Sequence, residues 1–178
     1  MPTWELRIKR TEEQTRGART RTVGRYQVFR DGVAATERLL SGTTAEAAGP
    51  GSNQASAIRR KCIAAGRYPL ATSGGPTYVT TGYREDYLIR ASMPGIELQG
   101  TAPRTAIIIH PGKNAFLSAV GCINPCTRLP TPDERIDYPG SRDRVIALID
   151  DMKSFLGTVP RQGDRPIANA FVVIEDRS

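Results

Sequence analysis

Trp4-Glu5-Leu6-Arg7-Ile8-Lys9 alternates apolar and charged side chains, the period of a strand with one face in a core and one in water. Thr22 to Phe29 repeats the signal, with Val23, Tyr26, Val28 and Phe29 as its apolar members. Asp31-Gly32 follows directly, a dipeptide suited to a two-residue hairpin turn, and Val33 to Leu40 is the expected return strand. Residues 41–57 interrupt this pattern. Ser41-Gly42-Thr43-Thr44 and Gly49-Pro50-Gly51-Ser52-Asn53 carry turn chemistry, so a surface loop is expected there, with a scrap of helix at 45–48. Further short strands are expected at Tyr78–Thr81, Tyr87–Ala91, Thr105–Ile109 and Phe171–Ile174. Ile107-Ile108-Ile109 lacks alternation, which predicts a buried central strand, and His110-Pro111-Gly112 ends it. One helix is expected, at 141–156. Ser141 would be its N-cap, Asp143 would sit in its first turn and Gly157 would stop it. Val145, Leu148, Ile149, Met152, Phe155 and Leu156 form its core-facing stripe. The expectation is a mainly β (α+β) single domain, sandwich or barrel-like, with one C-terminal amphipathic helix.

Composition narrows the chemistry. The chain has 178 residues, 39% hydrophobic and 24% charged, in the range of a globular domain. No apolar run approaches the roughly 20 residues of a membrane span. The N-terminal segment Met1 to Arg7 lacks the apolar core of a signal peptide, so synthesis in the cytoplasm is expected. The formal net charge of +7 favours anionic partners. The arginines are scattered, densest at Arg16 to Arg25 and Arg59-Arg60-Lys61, and aromatic content is 6%, which weighs against nucleic acid. Most of them are expected to be solvated. There is a single histidine, His110, which excludes two-histidine zinc sites within the chain. The cysteines Cys62, Cys122 and Cys126 are odd in number and form no CxxC, so neither a disulfide framework nor a metal site is expected.

The informative segment is His110-Pro-Gly-Lys-Asn-Ala-Phe-Leu-Ser118-Ala-Val-Gly121-Cys122-Ile-Asn124-Pro-Cys126. A histidine closes a strand, and twelve positions later a cysteine follows a glycine in a loop. Loops at strand ends commonly mount catalytic side chains. An imidazole beside a thiol can take its proton and create the nucleophile. Gly121 would let a substrate approach the main chain, and backbone N–H groups at Gly121 and Cys122 would hold an oxyanion. Cys122 and Cys126 are also close enough in sequence for a redox pair, although no thioredoxin-like pattern accompanies them.

This segment resembles the signature of the L,D-transpeptidase (YkuD-like) catalytic domains. His110 matches their histidine, Gly121-Cys122 their Gly-Cys, Ile123 the hydrophobic position and Asn124 the last one. Ala65-Gly66-Arg67-Tyr68-Pro69-Leu70 resembles the G-x-Y-P-L strand of the same domains, and the likeness covers about residues 64–126. The short gap between His110 and Cys122 is closer to compact phage- and secretion-associated versions, which include antibacterial effectors of the type VI kind. The chain departs from the pattern where Ala119-Val120 replace a Ser/Thr-His pair, with Ser118 displaced by one position.

The resemblance implies a cofactor-free cysteine acyl-transferase or hydrolase acting on the tetrapeptide stem of peptidoglycan in a periplasm. Its partners would be stem peptides, an immunity protein and secretion-machine components, with no nucleic acid and no membrane insertion. Cys122 would be nucleophile and His110 base, with the second ring nitrogen held by the carbonyl of Pro111 or Gly112. Ser118 and Asn124 would shape the pocket, and Arg104 and Arg128 would be candidates for substrate carboxylates. The competing expectation is a non-catalytic wall-binding or interaction module on the same scaffold.

Overall fold

In the computed structural model, which describes residues 1–57, 61–85, 91–118, 121–161 and 163–178, the alternating stretch is the start of a long strand. β1 (Trp4–Arg16) runs past the expected segment and pairs antiparallel with β2 (Arg19–Arg30). Trp4, Leu6 and Ile8 on one strand and Tyr26 and Val28 on the other face a common core. Asp31 (φ 49°) and Gly32 (φ 79°) make the two-residue turn, because both positions need left-handed backbone. The return strand β3 is only Val33–Ala34. Arg38–Leu40 is a 3-10 turn instead, with Leu40 buried in the core.

The largest correction lies at 41–57. Ser41–Ala47 is β4, an interior strand of the sheet between β2 and β10 (Asn124–Cys126), and not a surface loop or a helical scrap. Its last four residues, Thr44, Ala45, Glu46 and Ala47, are all buried. Small and β-branched residues can line a crowded interior strand without hydrophobic alternation, which is why the segment reads as a loop. The buried Glu46 is tolerated because Arg10 meets it with two hydrogen bonds, at 2.9 and 2.7 Å. Loop structure is confined to 48–57 and holds a short 3-10 turn at Ala55–Ala57.

The G-x-Y-P-L segment is β5 (Gly66–Thr72). The Phe171–Ile174 signal lies in the second half of β11 (Pro166–Glu175), a central strand that lies parallel to β1 and antiparallel to β5. The expected Tyr78–Thr81 strand is shorter, β6 (Tyr78–Val79), and pairs with β7 (Met93–Pro94) in a small separate sheet. Of the expected Tyr87–Ala91 strand, 87–90 lie outside the described residues. β8 (Ile96–Leu98) joins β5 to β9 (Ile108–Ile109).

The main sheet thus runs β10-β4-β2-β1-β11-β5-β8-β9, with β3 attached to β2. A single parallel bridge, Ile109 to Ile123, brings its two ends together and nearly closes a barrel. β9 is therefore not a central strand. It is the seam, and Ile108 is half-buried while Ile107 and Ile109 are buried.

α1 (Tyr138–Leu156) begins a turn earlier than expected. Asp137 is its N-cap, accepting a hydrogen bond from the Gly140 N–H at 3.0 Å. Pro139 stands in the first turn, where its missing N–H costs nothing. Ser141 and Asp143 consequently fall further along the helix, and no acidic residue occupies the first turn. Gly157 (φ 82°) ends the helix, donating to the Lys153 carbonyl. Val145, Leu148, Ile149 and Met152 join Trp4, Leu6 and Ile8 in the main core, with Phe155 and Leu156 packed at its margin. Among the described residues no helix is long and apolar enough to cross a membrane.

Candidate functional site at the barrel seam

The seam places the cysteine and the histidine. The His110 N–H donates to the Ile123 carbonyl and the Ile123 N–H to the Ile108 carbonyl, both at 3.0 Å. Strand alternation follows from this register. Ile109 and Ile123 point inward and are fully buried. Ile108, His110 and Asn124 therefore take the opposite side, whereas Cys122 lies just before the bridge with Sγ turned along the seam toward Ile108 and Ala106. The bridge sets the backbone of Cys122 beside Ile108 and that of His110 beside Asn124, which brings the cysteine and the histidine to neighbouring positions along the seam.

The imidazole is held by a carbonyl at one edge and a stacked ring on one face, and its backbone by Asn124. Nδ1 lies 2.8 Å from the Pro111 carbonyl. A carbonyl only accepts, so Nδ1 carries the proton and Nε2 keeps its lone pair. Asn124, fully buried, donates from Nδ2 to the His110 carbonyl at 3.0 Å, with His110 Nδ1 at 3.4 Å. The Tyr78 ring stacks on the imidazole at 4.2 Å between centroids and 26° between planes. Burial holds the imidazole down, to about 4, against the pull of the Pro111 carbonyl. The base is neutral at pH 7.

Cys122 is partly exposed, whereas Cys62 and Cys126 are buried, and all three are free thiols. Burial pushes Cys62 to about 11 and Cys126 to about 12. Cys126 belongs to a small core with Val23, Ala45, Leu129 and Ile136, which accounts for it as packing. Burial also pushes the Cys122 thiol up, opposed by the Ile108 N–H and by Arg104. The Ile108 N–H donates to Sγ at 3.4 Å, and Sγ–H reaches the Ala106 carbonyl at 3.5 Å. Ala106 holds a left-handed backbone (φ 54°) there. The resting thiol thus hydrogen-bonds to Ala106 and not to His110. The pair rests as neutral thiol and neutral imidazole, and not as the thiolate–imidazolium pair.

The other expected site residues divide. Gly121 is buried, with φ 149°, and a Cβ there would lie 2.1 Å from Arg104 Nη2. Pro111 supplies the carbonyl that orients the imidazole, and having no N–H it cannot serve an oxyanion. The Gly112 N–H is already committed to Ser141 Oγ at 2.8 Å. Asn124 is too buried to line a pocket and acts on His110 instead. Ser118 turns back on its own loop, accepting from the Lys113 N–H at 2.9 Å. Arg104 is buried, whereas Arg128 is exposed on the loop after β10. Ala119-Val120, where the sequence departs from the resembled signature, lie outside the described residues.

Several supporting residues act through partners that the sequence does not show. Ser141, inside α1, donates to the Pro125 carbonyl and accepts from Gly112, tying the helix to both arms of the seam. Arg21 is fully buried and donates to the carbonyls of Phe116, Thr131 and Glu134, at 2.8, 3.0 and 2.8 Å. It ties the loop that follows His110 to the segment between β10 and α1. Arg10, Arg104, Arg142 and Arg144 are buried too, so part of the formal basic surplus is internal and structural. An isolated arginine in a polar context looks solvated because its carbonyl partners are distant in sequence.

Tyr78 is the other residue that sequence reading missed as part of the site. Aromatic stacking contributes roughly 0.5–1.5 kcal/mol, and the ring also keeps water from the imidazole. In Tyr78→Leu the His110 titration is expected to rise from about 4 toward its ordinary value. Tyr78→Phe, which keeps the ring, should hold it low. With one histidine in the chain, an NMR pH titration reads this without assignment ambiguity. Equal titrations in Leu and Phe variants would remove the stack as the cause.

No protein-family model, curated protein or solved structure matches this chain.

Proposed function

We propose that this chain is a cysteine acyl-transferase or hydrolase of the peptidoglycan tetrapeptide stem, with Cys122 as nucleophile and His110 as general base. The observation that carries this reading is the seam geometry. It sets a partly exposed thiol and an oriented imidazole, Nδ1 protonated and Nε2 unprotonated, at neighbouring positions on two bridged segments. Catalytic hydrogen bonds are often long before substrate binds, so the resting thiol contact to Ala106 is compatible with transfer in the complex. The substrate class comes from the resemblance of residues 64–126 to L,D-transpeptidases.

The steps follow from the two groups. Nε2 takes the thiol proton as sulfur bonds to the carbonyl carbon between the diamino acid and the terminal D-alanine. Backbone donors at the Gly121–Cys122 turn would stabilise the oxyanion, each contact worth roughly 3 kcal/mol. The C–N bond breaks, Nε2–H protonates the departing D-alanine amine, and a thioester remains on Cys122. An amine acceptor or water then attacks the thioester, giving up its proton to Nε2. Collapse releases the product and restores the thiol as the proton returns to sulfur.

Mass spectrometry of muropeptides incubated with wild type and with Cys122→Ala tests the reading. Loss of terminal D-alanine, or its exchange or cross-linking, is expected with wild type alone. Identical product profiles from the two proteins would refute catalysis and leave a binding module on this scaffold. A version directed to the periplasm of a producing bacterium is expected to cause swelling or lysis that depends on Cys122.

A further inference from the structure

Arg104 brings a positive charge into the protein directly behind the Gly121–Cys122 turn. Arg104 is 2% exposed. A guanidinium is not deprotonated in proteins, so the charge persists although burial lowers its pKa. Nη1 donates to the Ser52 carbonyl at 2.8 Å, which anchors the group to the 48–57 loop. Nη2 occupies the space a side chain would fill at residue 121, since a Cβ there would be 2.1 Å from Nη2 and 3.2 Å from Cζ. The guanidinium therefore lies against the residue that precedes the nucleophile. It is also too enclosed to receive a substrate carboxylate.

We propose that Arg104 is the electrostatic support of the Cys122 thiolate and of the anionic intermediates formed on it, seated by the Ser52 carbonyl and admitted by the absent side chain of Gly121. The inference rests on reading Cys122 as the nucleophile. It gives the glycine of the Gly-Cys pair a second purpose, making room for the cation. The titratable groups whose charges reach Arg104 are Cys62, Tyr68 and Cys122. Those facing Cys122 are Arg104, which favours the thiolate, Glu97, which opposes it, and Tyr78 beside it. Arg104 is thus the cation whose loss the thiol should register. It is a positioning residue, because its effect passes through Cys122.

The test is the pH dependence of Cys122 alkylation by iodoacetamide in the full chain, read by peptide mass. It needs no substrate. Buried Cys62 and Cys126 serve as internal monitors, since their modification reports unfolding. Arg104→Met is expected to move the inflection up by about one pH unit, making alkylation about tenfold slower near pH 8. Arg104→Lys should keep most of the wild-type rate. Gly121→Ala should shift the profile in the same direction with Arg104 still present, because its Cβ displaces Nη2. A folded Arg104→Met whose profile overlays wild type overturns the proposal. If Arg104→Met unfolds, an unshifted Gly121→Ala profile overturns it equally. Failure of wild type to process muropeptides would refute the enzymatic reading separately, since the thiol titration is measured without it.

Discussion

His110→Ala is expected to lower turnover of stem peptides by roughly 10²–10⁴-fold, the range general-base catalysis contributes. The chain holds no second imidazole to substitute. The wild-type profile of kcat/KM should stay level on its acid side until the imidazole protonates near its depressed value of about 4. An acid limb near pH 6.5 would show instead that His110 titrates as a solvated group. The same residue makes a prediction about stability. In the unfolded chain it takes a proton near the ordinary value of about 6.5, and in the fold only near about 4. The unfolded state thus binds the proton first as pH falls. The contribution to stability is full above about 6.5 and is lost progressively as pH drops toward 4. Urea unfolding of wild type and His110→Ala across this window separates that loss from the rest of acid denaturation. Parallel pH dependences in the two proteins would contradict the burial argument.

The largest stability effect is expected at Glu46→Ala. Glu46 and Arg10 are 0% and 2% exposed on their side chains and pair through two hydrogen bonds. Arg10 also donates to the Ile63 carbonyl at 2.8 Å and to Asp176 at 2.9 Å. Burial disfavours the Arg10 charge, but Glu46 and its other partners outweigh this and raise its pKa. Removing Glu46 leaves a buried guanidinium without its principal counter-charge. The cost should be about 3–5 kcal/mol, a large share of the roughly 5–15 kcal/mol that holds a domain folded. The double change Arg10→Met with Glu46→Leu should recover most of it, since two apolar groups need no pairing. Chemical denaturation midpoints check both. A loss below about 1 kcal/mol in the single variant would mean that water enters the pair.

Arg10 and Glu46 also show why β4 was not legible in the chain. A glutamate in Ser41–Ala47 contradicts an interior strand unless its partner, 36 positions earlier, is known to lie beside it. Arg21 and Ser141 behave the same way, polar alone and saturated with hydrogen bonds in the fold. By contrast β1, the Asp31-Gly32 turn, the core stripe of α1 and the C-terminal strand were legible, because each depends on neighbours within a few positions. The segment from His110 to Cys126 could be singled out in the same way, because its residues are near neighbours along the chain.

Local pattern alone determined that the chain is mainly β with one C-terminal helix, and that one histidine and one of three cysteines were the residues to follow. Tertiary structure decided that the Ile run is the seam of a nearly closed barrel and not its centre. It also decided that Asn124 steadies His110, that Tyr78 covers it, and that Arg104 lies buried behind Gly121. The physical reason is one of range. Periodicity and turn chemistry act between adjacent residues and can be read along the chain. Burial, and the hydrogen bonds that make buried charge tolerable, arise only when distant segments meet.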